Sequence, residues 1–132
     1  MTTSNPSEII HAYRHLYRGL LHAVQYSKPA RYLARDQLRT AFRKDDPSTF
    51  NKAKVYRTIE FLQYAAQERG LEHRIVKSLL HTKYCEAREA IEANRLMRPA
   101  QSPLREKIIK TSRINYQMTL AMLNDSMGLC LR

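Results

Sequence analysis

The chain has 132 residues, enough for one hydrophobic core but not two, with only 3 Gly and 5 Pro. Its 23 Lys and Arg against 12 Asp and Glu leave a formal charge of +11, which points to an acidic partner (nucleic acid, an acidic protein or an anionic membrane surface) and says nothing about fold. Cys85 and Cys130 are too few for a disulfide framework, no apolar run has the length of a membrane span, and no secretory signal is recognisable, so a soluble or peripheral protein of a reduced compartment is expected.

The first predicted helix opens near Pro6 or Ser7, with Ser4, Asn5 or Ser7 as candidate caps. Ile9, Tyr13, Leu16, Leu20 and Val24 follow helical spacing, and Ile10, Tyr17 and Leu21 widen the stripe. The sequence SKPA at 27–30 breaks it, because Pro29 disfavours helix at Lys28. A second helix is expected from about Tyr32 to Lys44, with Ala34, Leu38, Ala41 and Phe42 inward. Residues 45–51 read as a loop with Asp and Ser capping signals. The third helix, over about 50–69, places Val55, Ile59, Leu62 and Ala66 on one side and stops at Gly70.

A fourth helix runs from Leu71 to about Arg98 with Ile75, Leu79, Ala87 and Ile91 along it, and its charged far end is expected in solvent. RPAQSP at 98–103 is the next break. The last helix covers about Leu104 to Met127, with Ile108, Ile109, Tyr116, Met118, Leu120 and Leu123 available for packing. Gly128 and an apolar stretch, Leu129–Leu131, follow it. No strand alternation or internal repeat is present. The chain reads as a single all-α domain, 1–132.

The charge is uneven: residues 1–44 carry +6, residues 45–98 carry +2 and residues 99–132 carry +3. Between Tyr13 and Lys44 the one acidic residue is Asp36. An acid-poor, Arg-rich, amphipathic start is also the composition of a mitochondrial targeting segment, and here that segment would be the first structural helix itself. Arg14 and Arg18 are neighbours on one helix, and Arg35, Arg39 and Arg43 repeat at the same interval on the next, forming a guanidinium ladder suited to carboxylates or phosphates.

Chemistry-bearing motifs are missing: there is no phosphate-binding Gly loop, CxxC, HExxH or nucleophile elbow. His11 with His15 and His81 with Cys85 are i,i+4 pairs, short of the four ligands of a structural zinc site, and read as surface residues. Glu72 and Glu86 each have Arg or Lys three positions away, which is helix support rather than acid–base chemistry. No enzyme, and no metal, is expected.

Leu16-Tyr17-Arg18 followed by Gly19-Leu20-Leu21, and then Arg39-Thr40-Ala41-Phe42-Arg43-Lys44, resembles the mitochondrial LYR-motif family. The resemblance implies an antiparallel three-helix bundle over about 6–69, extended by two further helices in 71–132. It also implies a non-catalytic adaptor of the mitochondrial matrix that binds the mitochondrial acyl carrier protein. Such an adaptor binds no cofactor directly, because the acylated 4′-phosphopantetheine arm is supplied by the carrier. Carried over, Tyr17 and Arg18 would contact the carrier and its arm, and Arg39, Arg43 and Lys44 would meet its acidic helix, with Arg14 and Arg35 beside them. Phe42 would stand near an acyl-chain tunnel walled by Leu16, Leu20, Leu38, Ile59 and Leu62.

Within that family the Leu16–Lys44 arrangement looks most like the branch bound to the mitochondrial large ribosomal subunit. Lys107, Lys110 and Arg113, beside Tyr116, are then candidate contacts to ribosomal RNA. Two alternatives stand beside this expectation. One is an accessory subunit or assembly factor of a respiratory complex or ATP synthase, with 71–132 docking onto protein. The other is a basic helical RNA-binding protein without an acyl carrier.

Overall fold

A computed structural model describes residues 5–96 and 102–132. Pro6 sits in the first turn of α1 (Pro6–Ala23), where its missing N–H costs nothing. The helix ends in a reversal made by Gln25 and Tyr26, both left-handed at φ 54°. Ser27 Oγ donates to the Val24 carbonyl at 2.7 Å and steadies that turn. The second helix, α2 (Ala30–Lys44), starts two residues before the expected Tyr32, because Pro29 supplies its N-cap rather than delaying it. Tyr13, early in α1, meets Phe42, late in α2, edge to face at 5.3 Å, so the two helices run antiparallel.

The loop after α2 contains a short 3₁₀ turn, Pro47–Thr49, and the helix that follows it, α3 (Lys52–Gln67), is capped by Asn51. The Asn51 carboxamide oxygen accepts from the N–H groups of Ala53 (3.0 Å) and Lys54 (3.2 Å), satisfying two otherwise orphaned donors. The expected stop at Gly70 is a correction: α3 ends at Gln67 because Glu68 turns extended, and Gly70 does not use the left-handed region.

The buried face of α3 is also rotated from the one expected. Thr58, Phe61, Leu62 and Ala65 are buried, with Val55 and Ile59 half-buried on its flank. The reason is that α3 packs on α1 with one side and on α4 (Leu71–Leu96) with another, so its apolar arc is wider than a single stripe. Because α4 packs on both α3 and α2, four helices enclose the core rather than the three of a minimal bundle. Among the described side chains of α4 the buried one is Val76, with Ile75, Leu79 and Leu80 against it, whereas Ala87 and Ile91 are exposed.

The last helix, α5 (Pro103–Met127), touches the core mainly through Leu120 and Leu123. Ile108 and Met118, expected to pack, are instead exposed, because they share a face with Leu104, Ile114 and Met122 that points away from the body. After Gly128 the chain turns back, and Leu129 and Leu131 enter the core beside Leu16, Leu38 and Leu62. Each buried leucine contributes about 1.5–3 kcal/mol. No strand occurs among the described residues.

Candidate functional site

The ladder on α2 follows from its i,i+4,i+8 spacing, and the structure leaves most of it unpaired. Arg14, Arg18, Arg39, Arg43 and Lys44 are exposed and form no ion pair among the described residues. Arg35 differs: its Nε is 3.1 Å from Asp36 Oδ1, and its guanidinium carbon lies 5.4 Å from the centre of the Tyr32 ring. The single acid of the opening stretch therefore spends its charge on one rung and leaves the others free.

Beside the ladder an aromatic step joins α1 to α2. Tyr13 and Tyr17 stack with centroids 6.2 Å apart, and Phe42 meets Tyr13 from the other side. Tyr17 is half-buried, at the border between core and surface.

Beneath this step lies a largely apolar cavity of about 510 Å³, within the range of small-molecule sites, roughly 300–1,000 Å³. Leu16 and Leu20 of α1, Leu38 and Phe42 of α2, and Leu62 of α3 all line it. Val76, Leu79 and Leu80 of α4 complete the wall, while Asp45, Asn51 and Arg132 are among its polar lining residues. Of the six expected tunnel residues, five meet in this one space. The sixth, Ile59, lines a different groove between α1 and α3 instead.

Arg18 also lies in that second groove, with His15, His22 and Gln63, rather than in line with the α2 ladder. The two arginine sets are thus not one continuous array. The α1 helix presents Arg18 towards α3, while α2 presents Arg39 and Arg43 on its own outer flank.

On α5, Lys107 and Lys110 are exposed, and Arg113 Nη2 is 3.2 Å from Glu89 Oε2 of α4. His81 Nε2 and Cys85 Sγ lie 3.7 Å apart, and among the described residues no group of three potential metal ligands forms around them. No helix among the described residues is long and apolar enough to cross a membrane.

The cavity has features that periodicity did not reveal. Thr58 occupies a core position, donating its hydroxyl to the Lys54 carbonyl at 2.8 Å and accepting the Cys130 N–H at 3.1 Å. Asn124 holds Leu131 at two points, its Nδ2 donating to the Leu131 carbonyl (2.8 Å) and its Oδ1 accepting the Leu131 N–H (3.0 Å). Arg132 forms a two-point ion pair with Asp45, across 87 residues of chain. The alternation of Leu129 and Leu131 after a glycine was the only sequence signal for this arrangement.

Comparison with known proteins adds one relative. Over 72 residues the chain is 40% identical to a protein named UPF0593 mitochondrial protein C806.05 from Schizosaccharomyces pombe (strain 972 / ATCC 24843). The match covers 53% of this chain, which spans 58% of the length of that relative. By its name the relative is mitochondrial. No family model matches the chain, and no solved structure does.

Proposed function

We propose that this protein is a non-catalytic, LYR-type adaptor of the mitochondrial matrix that binds the acylated mitochondrial acyl carrier protein. The observation that carries the reading is the convergence of Leu16, Leu20, Leu38, Phe42 and Leu62 on one apolar cavity, next to an unpaired basic flank on α2. Phe42 lines the cavity and is followed directly by the exposed Arg43 and Lys44, so a lipid chain and an acidic surface can be received by adjacent residues. The mitochondrial name of the relative supports a mitochondrial location.

In this reading the chemistry is recognition. Planar guanidinium forks meet carboxylates of the carrier and the phosphate of its arm, and the acyl chain fills the cavity. A ligand that binds only the folded state also raises its stability by linkage. Intact mass spectrometry of the protein gently purified from mitochondria tests the proposal. A partner of acyl-carrier size bearing phosphopantetheine and a fatty acyl mass is expected, and a chain that arrives alone or with RNA overturns it.

For the assembly served, α5 favours a protein partner. Leu104, Ile108, Ile114, Met118 and Met122 form an exposed apolar stripe, and Met122 is 71% exposed. Arg113, one of the three candidate RNA contacts, already pairs with Glu89. These features support docking of α5 onto protein over direct contact with ribosomal RNA, whether the assembly served is the mitochondrial ribosome, a respiratory complex or ATP synthase. Sedimentation of gently lysed mitochondria separates the two: co-migration with the large ribosomal subunit, lost on ribonuclease treatment, would reinstate the RNA contact.

A further inference from the structure

Residues 128–132 leave α5 by way of Gly128, which is left-handed at φ 67°, and a Cβ at that position would collide with the Arg57 guanidinium. The segment then continues without regular structure, and Leu129 and Leu131 turn inward and are only 3% and 9% exposed, with the exposed Cys130 between them. Both line the apolar cavity, as do Cys130 and Arg132.

What holds the segment is a set of point latches and not a ladder or a helix. Thr58 binds the Cys130 N–H, Asn124 binds both backbone groups of Leu131, and Asp45 pairs with Arg132 at the surface. Thr58, Asn124 and Asp45 themselves line the cavity, so anything that fills it presses on the latches. Two leucine side chains bury apolar surface of the same kind that an unbranched hydrocarbon chain would bury in their place. Exchange of one for the other changes little apolar area, the displaced backbone groups of Cys130 and Leu131 recover hydrogen bonds in water, and the buried Thr58 keeps its bond to the Lys54 carbonyl.

We infer that residues 128–132 are a built-in gate on the cavity, an internal occupant that a long acyl chain must displace and a short one need not. The inference rests on the acyl-chain reading given above. It adds a chain-length threshold, set by the space that Leu129 and Leu131 take up, and it makes Asn124 and Thr58 positioning residues for the gate.

Hydrogen exchange of the full-length protein, followed at the Cys130 and Leu131 amides with octanoate or palmitate as probes, tests it. With palmitate, protection of these two amides is expected to fall at least tenfold while amides of 52–67 gain protection, and with octanoate the tail amides stay as they were. Asn124→Ala, and separately Leu131→Asp should the first fail to fold, are expected to bind palmitate about tenfold more tightly than the unaltered protein, and to gain clearly less for octanoate. Palmitate uptake with the tail amides still protected would overturn the gate and leave the acyl-chain reading intact. Absence of palmitate uptake by the unaltered protein and both variants would overturn the two together.

Discussion

Gly19 faces Leu62 where α1 crosses α3: a Cβ built on the glycine would lie 3.3 Å from Leu62 Cδ1 and 3.4 Å from its Cβ. Leu62 is 1% exposed and cannot swing away. Gly19→Leu is therefore expected to cost about 1–3 kcal/mol through overpacking, whereas Gly19→Ala, which needs a shift of only tenths of an ångström and gains helix propensity, should stay within about 1 kcal/mol of the unaltered protein. Urea denaturation of both variants decides it, and a fully stable Gly19→Leu protein would mean the crossing is looser than described.

The start of α3 provides a matched pair of substitutions. Asn51 caps two N–H groups with its side chain, whereas Asn5 at the start of α1 makes no such bond. Asn51→Ala should lower stability by about 1 kcal/mol and Asn5→Ala by only a few tenths. Midpoints of urea unfolding at an unchanged slope are the measurement, and equal effects at both sites would contradict the capping geometry.

Tyr116 carries a buried hydroxyl that has no hydrogen-bond partner among the described residues. Removing it leaves no group unsatisfied, so Tyr116→Phe is expected to be neutral or to stabilise by about 1 kcal/mol. A loss of stability in thermal unfolding would reveal a partner for that oxygen.

On the proposed adaptor reading, binding of the acyl carrier should respond unequally to the arginines. Arg43→Glu reverses an unpaired charge on the α2 flank and is expected to weaken association about tenfold or more at low salt, with a smaller effect at high salt. Arg18→Ala should also weaken it, and Arg35→Gln least, because Asp36 already occupies that guanidinium. Binding isotherms at two ionic strengths check the order, with circular dichroism confirming unchanged helix. Salt-independent losses of equal size would argue against the ladder as the docking face.

Much of the helical framework was legible because apolar spacing and Pro29 act locally. Ala34, Leu38 and Phe42 fell on the inner side of α2 as their period required. The inner face of α3 was legible only in part, since a helix with neighbours on two sides buries an arc that one stripe cannot describe, and Thr58 is buried because of a partner 72 residues away. On α5 the apolar residues Ile108 and Met118 carry no mark that tells an inward from an outward face. The cavity itself, and the bonds from Thr58 to Cys130 and from Asp45 to Arg132, depend on long-range geometry that no local pattern encodes.

The bonds from Thr58 to Cys130 and from Asp45 to Arg132 have a kinetic consequence. They close loops of 72 and 87 residues, whereas α1, α2 and α3 find one another across turns of a few residues. Closing the longer loops gains its contacts late, so the early helices are expected to associate first. During synthesis the same order is imposed again, since residues 1–67 emerge before 124–132. A newly made chain should therefore pass through a state in which the hydrocarbon pocket stands open, and pulse-labelled exchange should protect 52–67 before 129–131. On the proposed adaptor reading, a lipid-bearing carrier that arrives in that interval would meet no competitor. Timing, as well as affinity, then governs whether the pocket is filled from outside or by the chain itself.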